Sequence, residues 1–244
     1  YKDDVRNYAI NKKDLCVASD TIPEELFRKF GVNRGLRDLN GRGVLTGLTE
    51  ISEIISKSGI CYEISEDVAK KLSDTENSQG VFCICAMRSD VSTVLNPKGK
   101  YIALENLQDP SNLGAVCRSV EALGLDGLIV SGGCDIYNPK ALRASMGALF
   151  RLPVYICQDL GKEIEKCKDL GIDVFATVPD RDAKNVITVD FSKGAVCIIG
   201  NEGNGVSKEF IEKCSDRLTI KMDGRAESLN ANAAASIIMW EMTR

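Results

Sequence analysis

The sequence predicts an α/β protein with a parallel-sheet domain in its C-terminal half and a smaller α/β domain before it. Two observations lead there. In the second half, short apolar runs rich in β-branched residues alternate with segments of helical periodicity, as strands buried on both faces and their crossover helices do. In addition, a polar stretch over residues 88–100, holding Asn96-Pro97 and Lys98-Gly99, separates that half from a first 90 residues of different pattern.

Along the chain, strand-like runs occur at residues 15–18, 60–64 and 81–86, with helical patterns near 23–30, 49–58 and 66–72. These form the expected N-terminal domain, residues 1–90, joined by a linker at 91–99 to a domain over 100–244. In the latter, strands are expected at 101–104, 127–130, 154–157, 173–177, 195–199 and 218–220. Helices are expected at 113–123, 139–148, 160–170, 207–214 and 229–242. The last is apolar on nearly all sides, with Ile237, Ile238, Met239 and Trp240 adjacent, and so needs covering from more than one direction.

Composition narrows the function. The chain has 244 residues, 44% hydrophobic and 27% charged, which suits globular domains. No apolar run approaches the roughly 20 residues that span a bilayer. Residues from Tyr1 onward show no basic-then-apolar leader, and the ten Cys sit mostly within apolar runs such as Val196-Cys197-Ile198. Reduced thiols in a cytoplasmic protein are therefore expected. Cys83 and Cys85 form C-x-C, but with no C-x-x-C and no His a zinc site is not expected. The absence of His also excludes Ser-His-Asp triads, Cys-His pairs and His-ligated catalytic metals. The net charge of −4 does not mark a nucleic-acid binder, although Arg28, Lys29, Arg34, Arg37 and Arg42 face only Asp38 in one stretch.

Three loops follow expected strands, and carboxyl ends of parallel strands are where open α/β sheets bind ligands. The first runs from Glu105 through Asp109-Pro110-Ser111-Asn112 into a helix that Asn112 is suited to cap, with Arg118 six residues on. Arg118 is either a surface charge or a bidentate phosphate ligand. The second is Gly200-Asn201-Glu202-Gly203-Asn204-Gly205, where glycines let backbone approach a ligand. Its order, G-x-x-G-x-G, is not the dinucleotide fingerprint. The third, Lys221 to Asn230, enters an Ala-rich helix that Ser228 or Asn230 is placed to cap, with Glu227 near its positive end.

Taken together, these segments resemble the SpoU/TrmH family of RNA ribose 2′-O-methyltransferases, in the SPOUT superfamily. The first motif reads Asn112-x-Gly114-Ala115-x-x-Arg118, the second Ile199-Gly200-Asn201-Glu202-Gly203, and the third Ile220-x-Met222-x-Gly224-x-x-Glu227-Ser228-Leu229-Asn230. Lys221 stands where the family usually has Pro, and Ala231-Asn232 where Val-Ser is usual. Weaker likeness to the family's ribosomal-protein-like substrate-binding domain lies over Ile64-Ser65, Lys71–Thr75 and Gln79-Gly80-Val81, with Thr46 and Thr49 replacing the Glu and Arg of its RNA element.

The resemblance implies a trefoil-knotted α/β fold, a homodimer, S-adenosylmethionine as methyl donor, no metal, and an RNA substrate, ribosomal RNA before transfer RNA. It implies that Arg118 acts on the 2′-hydroxyl with Asn112 positioning it. Glu202 would orient Arg118 or a nucleotide, and Ser228 and Asn230 would shape the substrate and methionine end. Gly200, Ile220, Met222 and Leu229 would hold the cofactor. A guanidinium resists deprotonation, so stabilising the developing alkoxide or gripping a phosphate suits Arg118 better than acting as a base. Two rival readings stay open: an RNA-binding homologue without catalysis, and a nicotinamide-dependent oxidoreductase suggested only by the glycine-rich loop.

Overall fold

The structure, a computed structural model, describes residues 15–18, 71–72, 83–86 and 95–244. The chain divides into two compact units, Tyr1–Arg88 and Ser89–Arg244. In the first, β1 (Leu15–Ala18) pairs antiparallel with β2 (Cys83–Ala86). The helices expected near 23–30 and 49–58, the strand at 60–64 and the basic stretch at 28–42 lie outside the described residues. Of 66–72, only the helical pair 71–72 is described.

The second unit runs β3 (Lys100–Glu105), α1 (Pro110–Ala122), β4 (Gly127–Ser131), α2 (Pro139–Ser145), β5 (Val154–Cys157), α3 (Leu160–Asp169), β6 (Asp173–Thr177), β7 (Lys184–Asn185), β8 (Ala195–Ile199), α4 (Lys208–Lys213), β9 (Asp216–Thr219) and α5 (Ala231–Thr243). Seven strands form one sheet in the order β5-β4-β3-β8-β6-β9-β7, and every pairing is parallel. The α/β class read from the sequence is the observed one. β8, at the centre, is Ala-Val-Cys-Ile-Ile and buried throughout, because helices cover both faces of a parallel sheet and no position can be polar. Leu95 already packs in the core with Tyr101, Ile129 and Val196, ahead of β3.

The ends of several elements differ from expectation for local reasons. The first helix begins at Pro110 because Asp109, not Asn112, is its cap: the Asp109 carboxylate accepts from the Ser111 amide at 2.9 Å. The second helix stops at Ser145, since Met146 and Gly147 take left-handed conformations with φ of 50° and 85°. A 3₁₀ turn, Ala148–Phe150, carries on the apolar pattern that reads as helix. The last strand is Asp216–Thr219 instead of 218–220: Asp216 is in register with Phe175, and Ile220 has left the sheet. β7, two polar residues at the sheet edge, has no signal in the sequence at all.

Two helices set up the site. α1 packs on α2 so closely that a Cβ at Gly114 would lie 2.3 Å from the Ala141 carbonyl oxygen. Only glycine permits that approach. On another side, α1 lies along α5. Asn112 meets Asn230 at their starts and Ser119 meets Ser236 further on, so the two helices run parallel. At the far end, Lys100 Nζ donates to the Met242 carbonyl at 2.5 Å, an ammonium at a helix C-terminus.

Candidate active site

The three loops converge at the carboxyl edge of the sheet, and one residue from each is joined in a single hydrogen-bonded chain. Glu202, beyond β8, is at the centre. Its carboxylate accepts from the backbone amides of Gln108 and Asp109, at 3.0 and 3.1 Å, and from Asn112 Nδ2 at 3.0 Å. Asn112 Oδ1 in turn accepts from Asn230 Nδ2 at 3.2 Å. Asn230 Oδ1 caps α5, accepting from the Asn232 amide at 2.9 Å and the Ala233 amide at 3.4 Å. Because Asp109 caps α1, the Asn112 side chain is free to bridge the other two loops.

This environment tunes Glu202. Burial by itself would raise its pKa, but the donors from Gln108, Asn112 and Asp109 outweigh that and hold the carboxyl below its usual range. Glu202 is therefore a firmly ionised acceptor. Among the described residues no hydrogen bond or ion pair joins it to Arg118.

The second loop is held shut by itself. Asn201 and Gly205 form an antiparallel bridge, and Asn201 Oδ1 accepts from the amides of Gly203 and Asn204. A Cβ on Gly200 would sit 2.0 Å from the Gly205 carbonyl carbon, so the glycine serves the loop's own closure. Asn201 Nδ2 also donates to the carbonyl of Asn106, which ties this loop to the first. Beyond it, the amide of Ser207 donates to Glu105 Oε2 at 2.9 Å.

Arg118 stands apart from the chain of Asn112, Glu202 and Asn230. Six residues past Asn112 on a helix place it roughly 120° around the axis and about 9 Å along it. It is exposed and has no ion pair among the described residues. Ser228 and Leu229 are exposed in the loop before α5, Leu229 at 38%.

A cleft of about 980 Å³ is lined in part by the third loop, which leads on to Asn230. One wall is residues 219–227, including Ile220 and Met222; the other holds Pro179, Arg181, Ala183 and Asn185. Of the four residues singled out for cofactor binding, Ile220 and Met222 line this cleft, whereas Gly200 and Leu229 do not. The second wall was missed in the sequence. Its signal was positional, since it follows the carboxyl end of β6, as the other loops follow their strands. Arg217 braces the two walls by pairing with Asp180 at 2.5 Å.

Parallel α/β sheets bind small molecules at strand ends of this kind, and the comparisons give the enzyme class and its family. Residues 99–240 match the SpoU rRNA Methylase family. The chain belongs to that family. It is 32% identical over 183 residues to the 23S rRNA (guanosine(2553)-2′-O)-methyltransferase RlmP of Bacillus subtilis, covering 75% of this chain and 72% of that one. Among solved structures it is similar to the SpoU methyltransferase AviRb from Streptomyces viridochromogenes in complex with AdoMet. The identity is 26% and the TM-score 0.75, covering 98% of this chain and 92% of the other. An AdoMet-bound rRNA methyltransferase from Sinorhizobium meliloti is 27% identical with a TM-score of 0.71, covering 80% and 76%.

Proposed function

We propose that this protein transfers a methyl group from S-adenosylmethionine to a ribose 2′-hydroxyl of RNA, with ribosomal RNA as the substrate class. The observation that carries this reading is the junction of Glu202, Asn112 and Asn230: one residue from each family motif, brought into direct contact at the carboxyl edge of a parallel sheet. The intact junction also speaks against a homologue that has kept only RNA binding. The cleft fits the donor. Its volume lies in the range of small-molecule sites, and Pro179, Ala183, Ile220, Met222 and Ala226 give it the apolar lining that an adenine needs.

When bound, the sulfonium donor supplies an already activated methyl electrophile. The protein's task is to place the 2′-oxygen in line and favour its ionised form. Asn112, fixed at both ends of its amide, orients the ribose. Arg118 stabilises the developing alkoxide or the neighbouring phosphate with its planar fork. Glu202 holds the first loop and Asn112 in register. Ser228 and Asn230 shape the substrate and methionine end, and Ile220 and Met222 hold the cofactor in the cleft, which Gly200 and Leu229 do not line.

The same reading assigns residues 1–90 to RNA substrate binding, 91–99 to a linker, and 100–244 to a methyltransferase domain whose C-terminal chain is threaded as a trefoil knot. It places the enzyme in the cytoplasm; among the described residues no helix is long and apolar enough to cross a membrane. It also makes the enzyme a homodimer through α5, where Ile237 and Trp240 are 38% and 58% exposed on one face. A dimer accounts for the position of Arg118: pointing away from its own network, it serves the site of the partner subunit. Mass mapping of 2′-O-methyl sites in RNA from cells with and without the gene tests the proposal. A site lost from ribosomal RNA and restored by the purified enzyme supports it; loss only from transfer RNA redirects the substrate, and no loss refutes it.

A further inference from the structure

The sheet order gives the junction of Asn112 and Glu202 two different sides. These residues follow β3 and β8, and the cleft is walled by segments that follow β6 and β9, on one side of that pair. On the other side of β3 lies β4, whose carboxyl-end loop is tied to the first loop. The Cys134 amide donates to the Leu107 carbonyl at 2.8 Å, and the Asn106 amide to the Ser131 carbonyl at 2.7 Å. That loop leads into α2, which touches α1 at Gly114, two residues beyond Asn112. Helices in contact lie about 8–10 Å apart, so α2 flanks the junction on the side away from the cleft.

This flank is positive in an acidic chain. No Asp or Glu occurs between Asp135 and Asp159, although the chain carries 35 acids in 244 residues. Lys140 and Arg143, three apart on α2, are neighbours on the helix surface. Lys140 is exposed, and neither side chain has a hydrogen bond or ion pair among the described residues. Arg143 is partly buried, and its Nη1 is wholly so, with no hydrogen-bond partner. Its place in the last turn of α2 suits a cation, but no carbonyl accepts from Nη1. Charge drawn out of water without a partner is costly, and an anion against the guanidinium offsets that cost. Resting on the methyltransferase reading above, we propose that Arg143 and Lys140 bind backbone phosphates of the RNA strand beside the target nucleotide. They thereby hold the ribose against Asn112 from the side away from the cleft. Phosphate contacts fix register and orientation without reading sequence, so this flank positions the strand and leaves the choice of base to other contacts.

The probe is a short, unmodified transcript of ribosomal RNA carrying the site that mass mapping finds. Its Kd is measured across a salt series for the full chain, R143Q, R143K and K140Q. S-adenosylhomocysteine affinity, Tm and sedimentation are followed on the same preparations. R143Q is expected to weaken RNA binding by about tenfold at about 0.1 M salt. It should also lower the slope of log Kd against log salt by about 0.7 to 0.9, the signature of one lost phosphate contact. R143K keeps the slope, and K140Q lowers it as R143Q does. The KM for RNA is expected to rise by the same factor with kcat nearly unchanged, and cofactor affinity should stay as it was. Because Nη1 is unmatched in the free chain, Tm should not fall; should R143Q prove unstable, K140Q on the surface carries the test alone. Unchanged RNA affinity in both variants, or a loss with an unchanged slope, overturns the proposal. A shift to monomers in R143Q overturns it too, since the arginine then serves a second copy of the chain. A full chain that methylates the transcript while both variants bind it normally refutes this inference and leaves the proposed function standing. A full chain that methylates no ribosomal RNA refutes the proposed function, and this inference falls with it.

Discussion

Asn230 Nδ2 donates to Asn112 Oδ1 at 3.2 Å while Asn230 Oδ1 caps its own helix, so one side chain both starts α5 and connects it to α1. Any change at either asparagine is felt by two loops and a helix terminus. The two jobs can be separated by substitution. Asn230→Asp keeps a strong cap but removes the donor, and it sets a second carboxylate near Glu202. It is expected to fold with a Tm close to that of the unaltered chain and to lose methyl transfer by tenfold or more, about 1.4 kcal/mol. Calorimetry and single-turnover methylation on one preparation check this. A variant of normal rate removes Asn230 from the site.

Arg118→Ala is expected to lower the rate by about two orders of magnitude or more, with S-adenosylhomocysteine affinity little changed. The side chain is exposed and the cleft is lined by other segments, so its loss neither unfolds α1 nor touches the cofactor. Arg118→Lys should rescue little, because a point charge does not reproduce a planar fork. A normal rate in Arg118→Ala makes the residue an ordinary surface charge, and parallel loss of cofactor affinity puts it on the wrong side of the site.

Glu202 gives a pH dependence whose sign is fixed. Its folded pKa lies below the ordinary glutamate value, so the stability it contributes is fully present above that ordinary value. That contribution is lost as pH falls through the lowered folded value. The stability difference between the unaltered chain and Glu202→Gln should therefore be constant near neutrality and shrink in acid. Denaturant melts from pH 7 to pH 3 measure it; a difference that grows in acid contradicts the hydrogen-bonding scheme.

The dimer proposal has its own test at Trp240, 58% exposed on α5. Trp240→Glu places a charge where the partner's apolar face would lie, and monomers are expected by sedimentation at micromolar concentration. If Arg118 serves the partner's site, those monomers also lack activity while still binding S-adenosylhomocysteine. An unaltered chain that is already monomeric rules the dimer out.

Gly114→Val tests the closeness of α1 and α2. With the Ala141 oxygen 2.3 Å from the position of a Cβ, the helices must separate, at a cost of about 1–3 kcal/mol and several degrees in Tm. The residual enzyme should lose rate beyond its loss of stability, since α1 carries both Asn112 and Arg118.

The sequence made the sheet legible because buried parallel strands have a one-sided vocabulary: Val174, Phe175, Val196 and Ile198 are apolar whichever face they take. The motif residues were legible as a set, but their contacts were not. Asp109 and Asn112 are both competent helix caps, and nothing local says which one caps; the choice is made by Glu202, about 90 residues away, which draws Asn112 to itself. β7 was invisible because Lys184 and Asn185 pair through backbone alone. Ile220 was read as strand because it is apolar; it is apolar because it lines a cleft.

The parallel run of α1 and α5 has an electrostatic consequence. Both helices begin at the junction of Asn112, Glu202 and Asn230, so the positive ends of two macrodipoles, each equivalent to about half an elementary charge, converge on one spot. This potential comes from peptide groups. It does not titrate, and no side-chain replacement removes it. The anion that meets it is the chain's own: the Glu202 carboxylate sits on the amides of Gln108 and Asp109, at the start of α1. Changing the buffer from neutral to alkaline should leave that attraction in place, whereas raising the ionic strength should weaken it.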